Sequence, residues 1–334
     1  MPSTDNVAAR RTPPGLHRFA VTAAAATFAL IFIGGLVTST GSALAVPDWP
    51  LAYGHLIPRL VGGVRFEYGH RVAAGFVVIL TIVLALWTWL GERRAWVRKT
   101  AVAALCLIVI QAVLGGITVL YLLPLPIAVA HAATAQAFFC VMIAMATFTN
   151  SRWESIESRG ETAAWPSLRT LAALTTGVIY AQILIGALMR HMGAGLAIPD
   201  FPLVYGGLVP PEFTPPIVVN FGHRCGAIVV TTLVVWTAIA IFSRYRNEPY
   251  LVRPAIGLLA LLALQISLGA LTIWTGRAVI PTTAHVAIGA AVLATSFALT
   301  LRVFHLFRTA PDSAAKANNW TSDLGDSRAM AGGR

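Results

Sequence analysis

Four histidines carry the chemistry open to this chain: His70, His131, His223 and His285. They fall into equivalent pairs, because the chain states the same passage twice. Pro47-Asp48-Trp49-Pro50 returns about 152 positions later as Pro199-Asp200-Phe201-Pro202, and Tyr68-Gly69-His70-Arg71 returns as Phe221-Gly222-His223-Arg224. Gly115-Gly116-Ile117-Thr118 returns as Gly269-Ala270-Leu271-Thr272, and Ala130-His131 as Ala284-His285. A single histidine in an apolar helix is ordinarily a polar contact between neighbouring helices. Four at repeat-matched positions point further, since ionisable groups in such segments are costly and tend to mark function. Two imidazoles facing each other across a helical unit can hold a haem iron from both sides. Zinc fits less well, because a tetrahedral site wants further Cys, Asp or Glu ligands. A proton relay stays open, because imidazole titrates near neutrality.

Other polar residues stand near these histidines in sequence. Glu67 precedes His70 by three residues, so the two share a helical face, whereas Asn220 occupies that place before His223. A carboxylate in one half alone suggests acid–base chemistry there, while a helix-start acid favoured by the backbone dipole is the bland alternative. Arg71 and Arg224 could bind haem propionates through paired hydrogen bonds or simply reach for lipid headgroups. Gln111 and Gln265 are a further matched pair, suited to a haem edge or to holding helices together. Cys106, Cys140 and Cys225 have no CxxC spacing and read as small buried hydrophobes, with no disulfide.

The elements that must position these groups are set by composition. The chain is 57% hydrophobic and 11% charged, against roughly a quarter charged in a soluble domain. Eight apolar stretches are long enough to cross about 30 Å of hydrocarbon as helices, at approximately 18–39, 69–90, 100–121, 127–149, 168–190, 221–243, 251–274 and 282–304. The expected fold is an all-α membrane protein of eight transmembrane helices. They form two tandem four-helix bundles related by a pseudo-two-fold axis along the membrane normal. Basic residues cluster before the first span and between the second and third, fourth and fifth, and sixth and seventh, which places those regions and both termini in the cytoplasm. All four histidines then lie near the outer face. The net charge of +11 is this topological bias, and no nucleic-acid partner is needed to explain it. The domain reading is a cytoplasmic tail 1–17, a first half 18–150, a cytoplasmic linker 151–167, a second half 168–306 and a disordered tail 307–334.

The repeated Pro-Asp-aromatic-Pro loops, Glu67-x-x-His70 and the four histidines together resemble the haem A synthase family over about residues 20–305. That resemblance implies a multi-pass enzyme of the bacterial plasma membrane that oxidises the C8 methyl group of haem O to the formyl group of haem A by successive hydroxylation, for use by terminal oxidases. It implies that His70 and His131 hold the substrate haem, that His223 and His285 ligate a haem b in the second half, and that Glu67 is the catalytic carboxylate. It also implies haem O synthase as a donor of substrate. The sequence names no electron acceptor and leaves a homo-oligomer open. Many members carry a cysteine pair in the outer loop, where this chain has Val46 and Ala52, and Ile198 and Val204 in the repeat. The loops are therefore expected to act structurally, as lids with Trp49 and Phe201 packed against the pockets. The rival readings are a di-haem cytochrome b that only transfers electrons, and a transporter built on the internal repeat.

Overall fold

The computed structural model describes residues 14–161 and 164–307. Eight long helices run as α1 Pro14–Ser39, α2 Val64–Gly91, α3 Ala95–Leu120, α4 Leu125–Phe148, α6 Leu168–His191, α7 Pro215–Arg244, α8 Pro249–Trp274 and α9 Val279–Leu306, with a one-turn helix α5 Ser151–Ser155 between α4 and α6. All eight are long and apolar enough to cross a membrane. Their starts carry conventional signals. Ser167 caps α6 by accepting a hydrogen bond from the Thr170 backbone N–H, and prolines occupy the first turn of α4, α7 and α8, where a missing N–H costs nothing. Hydroxyls within the spans bond back to the carbonyl one turn earlier, as Thr27 does to Ala23 and Thr81 to Val77, so few polar atoms are left facing hydrocarbon.

Several helices begin before the apolar stretches do: α2 at Val64 rather than about 69, and α7 at Pro215 rather than about 221. Their first turns contain Arg65, Glu67 and Asn220, which interrupt hydrophobicity without disfavouring helix. The histidines consequently lie about two turns inside their helices. The disorder expected of the C-terminal tail falls, beyond Phe307, outside the described residues.

Helix α1 packs on α2, α4 and α9, and α6 packs on α7, α9 and α4, while α2 and α3, α3 and α4, α7 and α8, and α8 and α9 pack in sequence. One apolar core, including Leu16, Leu84, Val97, Phe138, Met142 and Met145, lies among α1–α4. A second, including Leu168, Val234, Ile241, Leu258, Leu293 and Val303, lies among α6–α9. Phe139, Ala290 and Ala294, with Phe28 and Ile31, fill the space between them. Large apolar side chains such as Phe76, Trp89, Val109, Ile228, Ile239 and Ile256 project outward from α2, α3, α7 and α8. A surface this apolar is suited to lipid, and the chain is a multi-pass membrane protein.

Candidate functional site

Each of the four histidines rests on a glycine of the preceding long helix. A Cβ built on Gly34 of α1 would stand 3.1 Å from His70 Cε1, and one on Gly115 of α3 would stand 3.2 Å from His131 Cε1. In the second half the same construction on Gly186 of α6 comes within 3.0 Å of His223 Cε1, and on Gly269 of α8 within 3.1 Å of His285 Cε1. The absent side chains make the seats. His131 is among the charges acting on His70, and His285 among those acting on His223, so each half places its two histidines within electrostatic reach of one another.

Hydrogen bonding prepares these rings unequally. His285 Nδ1 lies 3.2 Å from the Gln265 carbonyl oxygen, a contact that calls for an N–H on Nδ1 and leaves a lone pair on Nε2. That lone pair faces the Gln265 side-chain amide nitrogen at 3.4 Å, and Gln111 stands at 3.4 Å from His131 Nε2 in the same way. The two glutamines thus join α3 to α4 and α8 to α9 through the imidazoles themselves. Gln182 of α6 donates to the His223 carbonyl oxygen at 2.7 Å and lies 3.1 Å from His223 Nδ1. It crosses Gly226, where a Cβ would come within 2.1 Å of its Oε1. By the repeat offset, Leu30 and Ala73 occupy these two places in the first half. His70 Nδ1 is buried with no hydrogen bond, whereas the Gln111 main chain acts on His131 as that of Gln265 does on His285.

The loops between α1 and α2 and between α6 and α7 are fastened over these seats by the residues expected to contact a cofactor. Arg71 donates to the carbonyl oxygens of Asp48 (2.7 Å), Leu51 (2.8 Å) and Val46 (3.2 Å) and to Glu67 Oε1 (2.7 Å). Glu67 is buried, and its Oε2 accepts the Val46 backbone N–H at 2.8 Å. Arg224 binds the carbonyls of Leu203 and Ile198, each at 2.9 Å, and Asn220 Oδ1 at 3.1 Å. The buried Asn220 amide donates to Ala194. Here, then, the two arginines clamp loops rather than reaching outward. Asp48 accepts the backbone N–H groups of Tyr53 and Gly54, and Asp200 those of Tyr205 and Gly206. These bonds, the Gly54 and Gly206 N–H groups foremost, hold both carboxyls below the ordinary carboxylate value of 3.8. Tyr53 and Tyr205, at positive φ, close each loop by donating their hydroxyls to Ala45 and Ala197.

Trp49 lies against Gly116, where a Cβ would meet its Cδ2 at 2.8 Å. Gly116 adjoins the Gly115 seat of His131. In the second half the smaller Phe201 faces Trp274, with ring centroids 6.1 Å apart, and Ala270 replaces Gly116. Val46 and Ala52 are buried with Val64, and Ile198 and Val204 with Ile217, so each loop closes on an apolar knot.

This donor set fits a haem iron. It offers two imidazoles in each half, an unsatisfied ring nitrogen at His70, a main-chain contact that favours the Nδ1-protonated tautomer at His285, and a glycine against every ring. Among the described residues no three His, Cys, Asp or Glu side chains converge as a cluster of metal ligands. Sequence reasoning missed Gln182 and the glycine seats Gly34 and Gly186, although the glycines recur at the repeat offset and could have been found there.

The family model for cytochrome oxidase assembly protein matches residues 66–297, more than two thirds of the chain and all four histidines. Among curated proteins, haem A synthase of Symbiobacterium thermophilum is 30% identical over 71% of this chain and 79% of its own length. Haem A synthase of Shouchella clausii is 31% identical over 67% of this chain and 76% of its own length. That of Bacillus licheniformis is 27% identical over 66% and 75%. With its paired histidines and fastened loops, the chain belongs to this cytochrome oxidase assembly family, to which it is joined by relatives that are haem A synthases.

Proposed function

We infer that this chain is a haem A synthase, oxidising the C8 methyl group of haem O to the formyl group of haem A. The observation that carries the reading is the paired seating of His70 with His131 and of His223 with His285 on glycines of adjacent helices. A bound haem supplies the redox chemistry at its iron; the rest falls to the protein. In the proposed arrangement α1–α4 and α6–α9 are two tandem four-helix bundles paired about an axis along the membrane normal. The separate cores and the α1–α9, α4–α6 and α4–α9 contacts support this. The basic inter-helix segments support cytoplasmic termini and histidines toward the outer face.

The unequal hydrogen bonding of the halves supports a division of labour. His223 and His285, anchored by Gln182 and Gln265, hold a resident haem b. His70, whose ring has no such anchor, and His131, which meets only Gln111, take the haem that must enter and leave. Glu67 is the carboxylate placed to assist proton removal, or to stabilise positive charge, at the methyl carbon as it is oxidised, and Arg71 holds it one turn from His70. Arg71 and Arg224 serve first as loop clamps, and any propionate contact they make is additional to those bonds. Haem O synthase is the proposed donor of substrate.

The test is a haem census on protein purified from a host that makes haem O. Extraction and mass analysis should find haem b together with formyl-bearing haem. Glu67→Gln keeps an acceptor for the Val46 N–H while removing the charge. It should retain haem b and accumulate unformylated substrate, with product formation down by about 100-fold or more. Wild-type product from that variant would remove Glu67 from the reaction. Haem b without formylated haem in the unsubstituted chain would favour a plain electron-transfer cytochrome.

A further inference from the structure

Arg190 stands in the last turn of α6 and breaks the repeat: its counterpart in the first half is Thr38. The side chain is largely buried and leaves its own half. Its Nη2 donates to the Gly35 carbonyl oxygen (3.0 Å) and to Ser39 Oγ (2.7 Å), both on α1. Ser39 Oγ also accepts from Thr283 of α9 at 2.9 Å, so one guanidinium ties α6 to α1 and α9. Its Nε is buried with no hydrogen-bond partner. Among the described residues no carboxylate forms an ion pair with Arg190, and the charged groups acting on it include a second cation, Arg277. His191 adjoins it in sequence. An unpaired guanidinium at such depth is costly unless an anion completes it.

Position identifies the anion. Arg190 lies one turn beyond Gly186, on the same face of α6, and Gly186 is the seat of His223. It also acts on the charge of His285, the other ring of that pair. On α1 its anchor Gly35 adjoins Gly34, the seat of His70. A flat ligand held between His223 and His285 that carries carboxylates on one edge would present them to this corner. We propose that Arg190 binds a carboxylate of the porphyrin held by His223 and His285, through its unpartnered Nε–H, while its other arm locks the two halves together. The assignment rests on the haem reading above and moves the anion-binding role from Arg224, whose donors hold the loop, to a residue outside the repeat.

The experiment compares iron protoporphyrin IX with its dimethyl ester, which has the same ring and no carboxylate. Both are titrated into haem-free full-length protein in which His131→Ala silences the first-half site. The ester should bind at least about tenfold more weakly, as expected for loss of a charged hydrogen bond, and Arg190→Gln should shrink that penalty to about twofold. Taking the ratio within each variant cancels any general loosening of the fold. Should Arg190→Gln fail to fold, Arg190→Lys, which keeps the cation but not the Nε–H geometry, should still reduce the ratio. An ester penalty undiminished in these variants overturns the assignment while leaving the haem reading intact. Failure of the unmodified second half to bind either porphyrin overturns both.

Discussion

Gly186→Ala tests whether the glycine seats exist to place imidazoles. An alanine Cβ there would stand 3.0 Å from His223 Cε1 and 3.4 Å from its Nδ1, so the ring must retreat by about 0.4 Å to regain ordinary contact. Iron–nitrogen coordination tolerates displacements of only about 0.2 Å, and disturbing the support of a metal-binding histidine typically costs 10–100-fold in affinity. The helix itself gains, because alanine in place of glycine favours helix by about 1 kcal/mol. The two effects therefore part company: haem b affinity should fall about 10–100-fold while the haem-free protein melts no lower than wild type. Gly177→Ala on the same helix is the control, since a Cβ there meets nothing within 4 Å. It should add helix stability and leave haem untouched. The measurements are haem b per protein by pyridine haemochrome, the low-spin absorption spectrum, and thermal unfolding of haem-free samples. Unchanged haem content and spectrum in Gly186→Ala, or equal loss in Gly177→Ala, would refute the seating argument.

Two further outcomes follow from the loops. Gly116→Ala drives a Cβ to 2.8 Å from the Trp49 ring and should speed haem loss from the first half several-fold, and adding Trp49→Phe should restore retention, because the second half already pairs Phe201 with Ala270. Haem dissociation into excess apomyoglobin reads both. The Asp48 carboxyl sits below its ordinary value in the folded loop, so its contribution is fully present above that value and is lost as pH falls through the depressed one. Hydrogen exchange at Tyr53 and Gly54, corrected for intrinsic rates, should thus be flat from pH 8 to 5 and lose protection only below about pH 4, with Asp48→Asn abolishing that step.

The spans, the duplication and the four histidines were legible because hydropathy and residue type declare them. The helix starts were not, since Arg65, Glu67 and Asn220 lower hydropathy over turns that remain helical. The loop bonds of Arg71 and Arg224 were hidden for a different reason. Their partners are main-chain carbonyls of Val46, Asp48, Leu51, Ile198 and Leu203, groups every residue carries and no sequence pattern singles out. Duplication also misdirects: attention goes to what recurs, whereas Gln182 and Arg190 differ between the halves and are visible only once helices are packed.

The apolar knot of Val46, Ala52 and Val64 has a consequence for the company this protein can keep. A loop sealed by methyl groups has no oxidised and reduced forms, so thiol reagents and shifts in ambient potential leave its closure alone. Organisms living with little oxygen, or with no machinery for pairing sulfurs, could fold this version unaided.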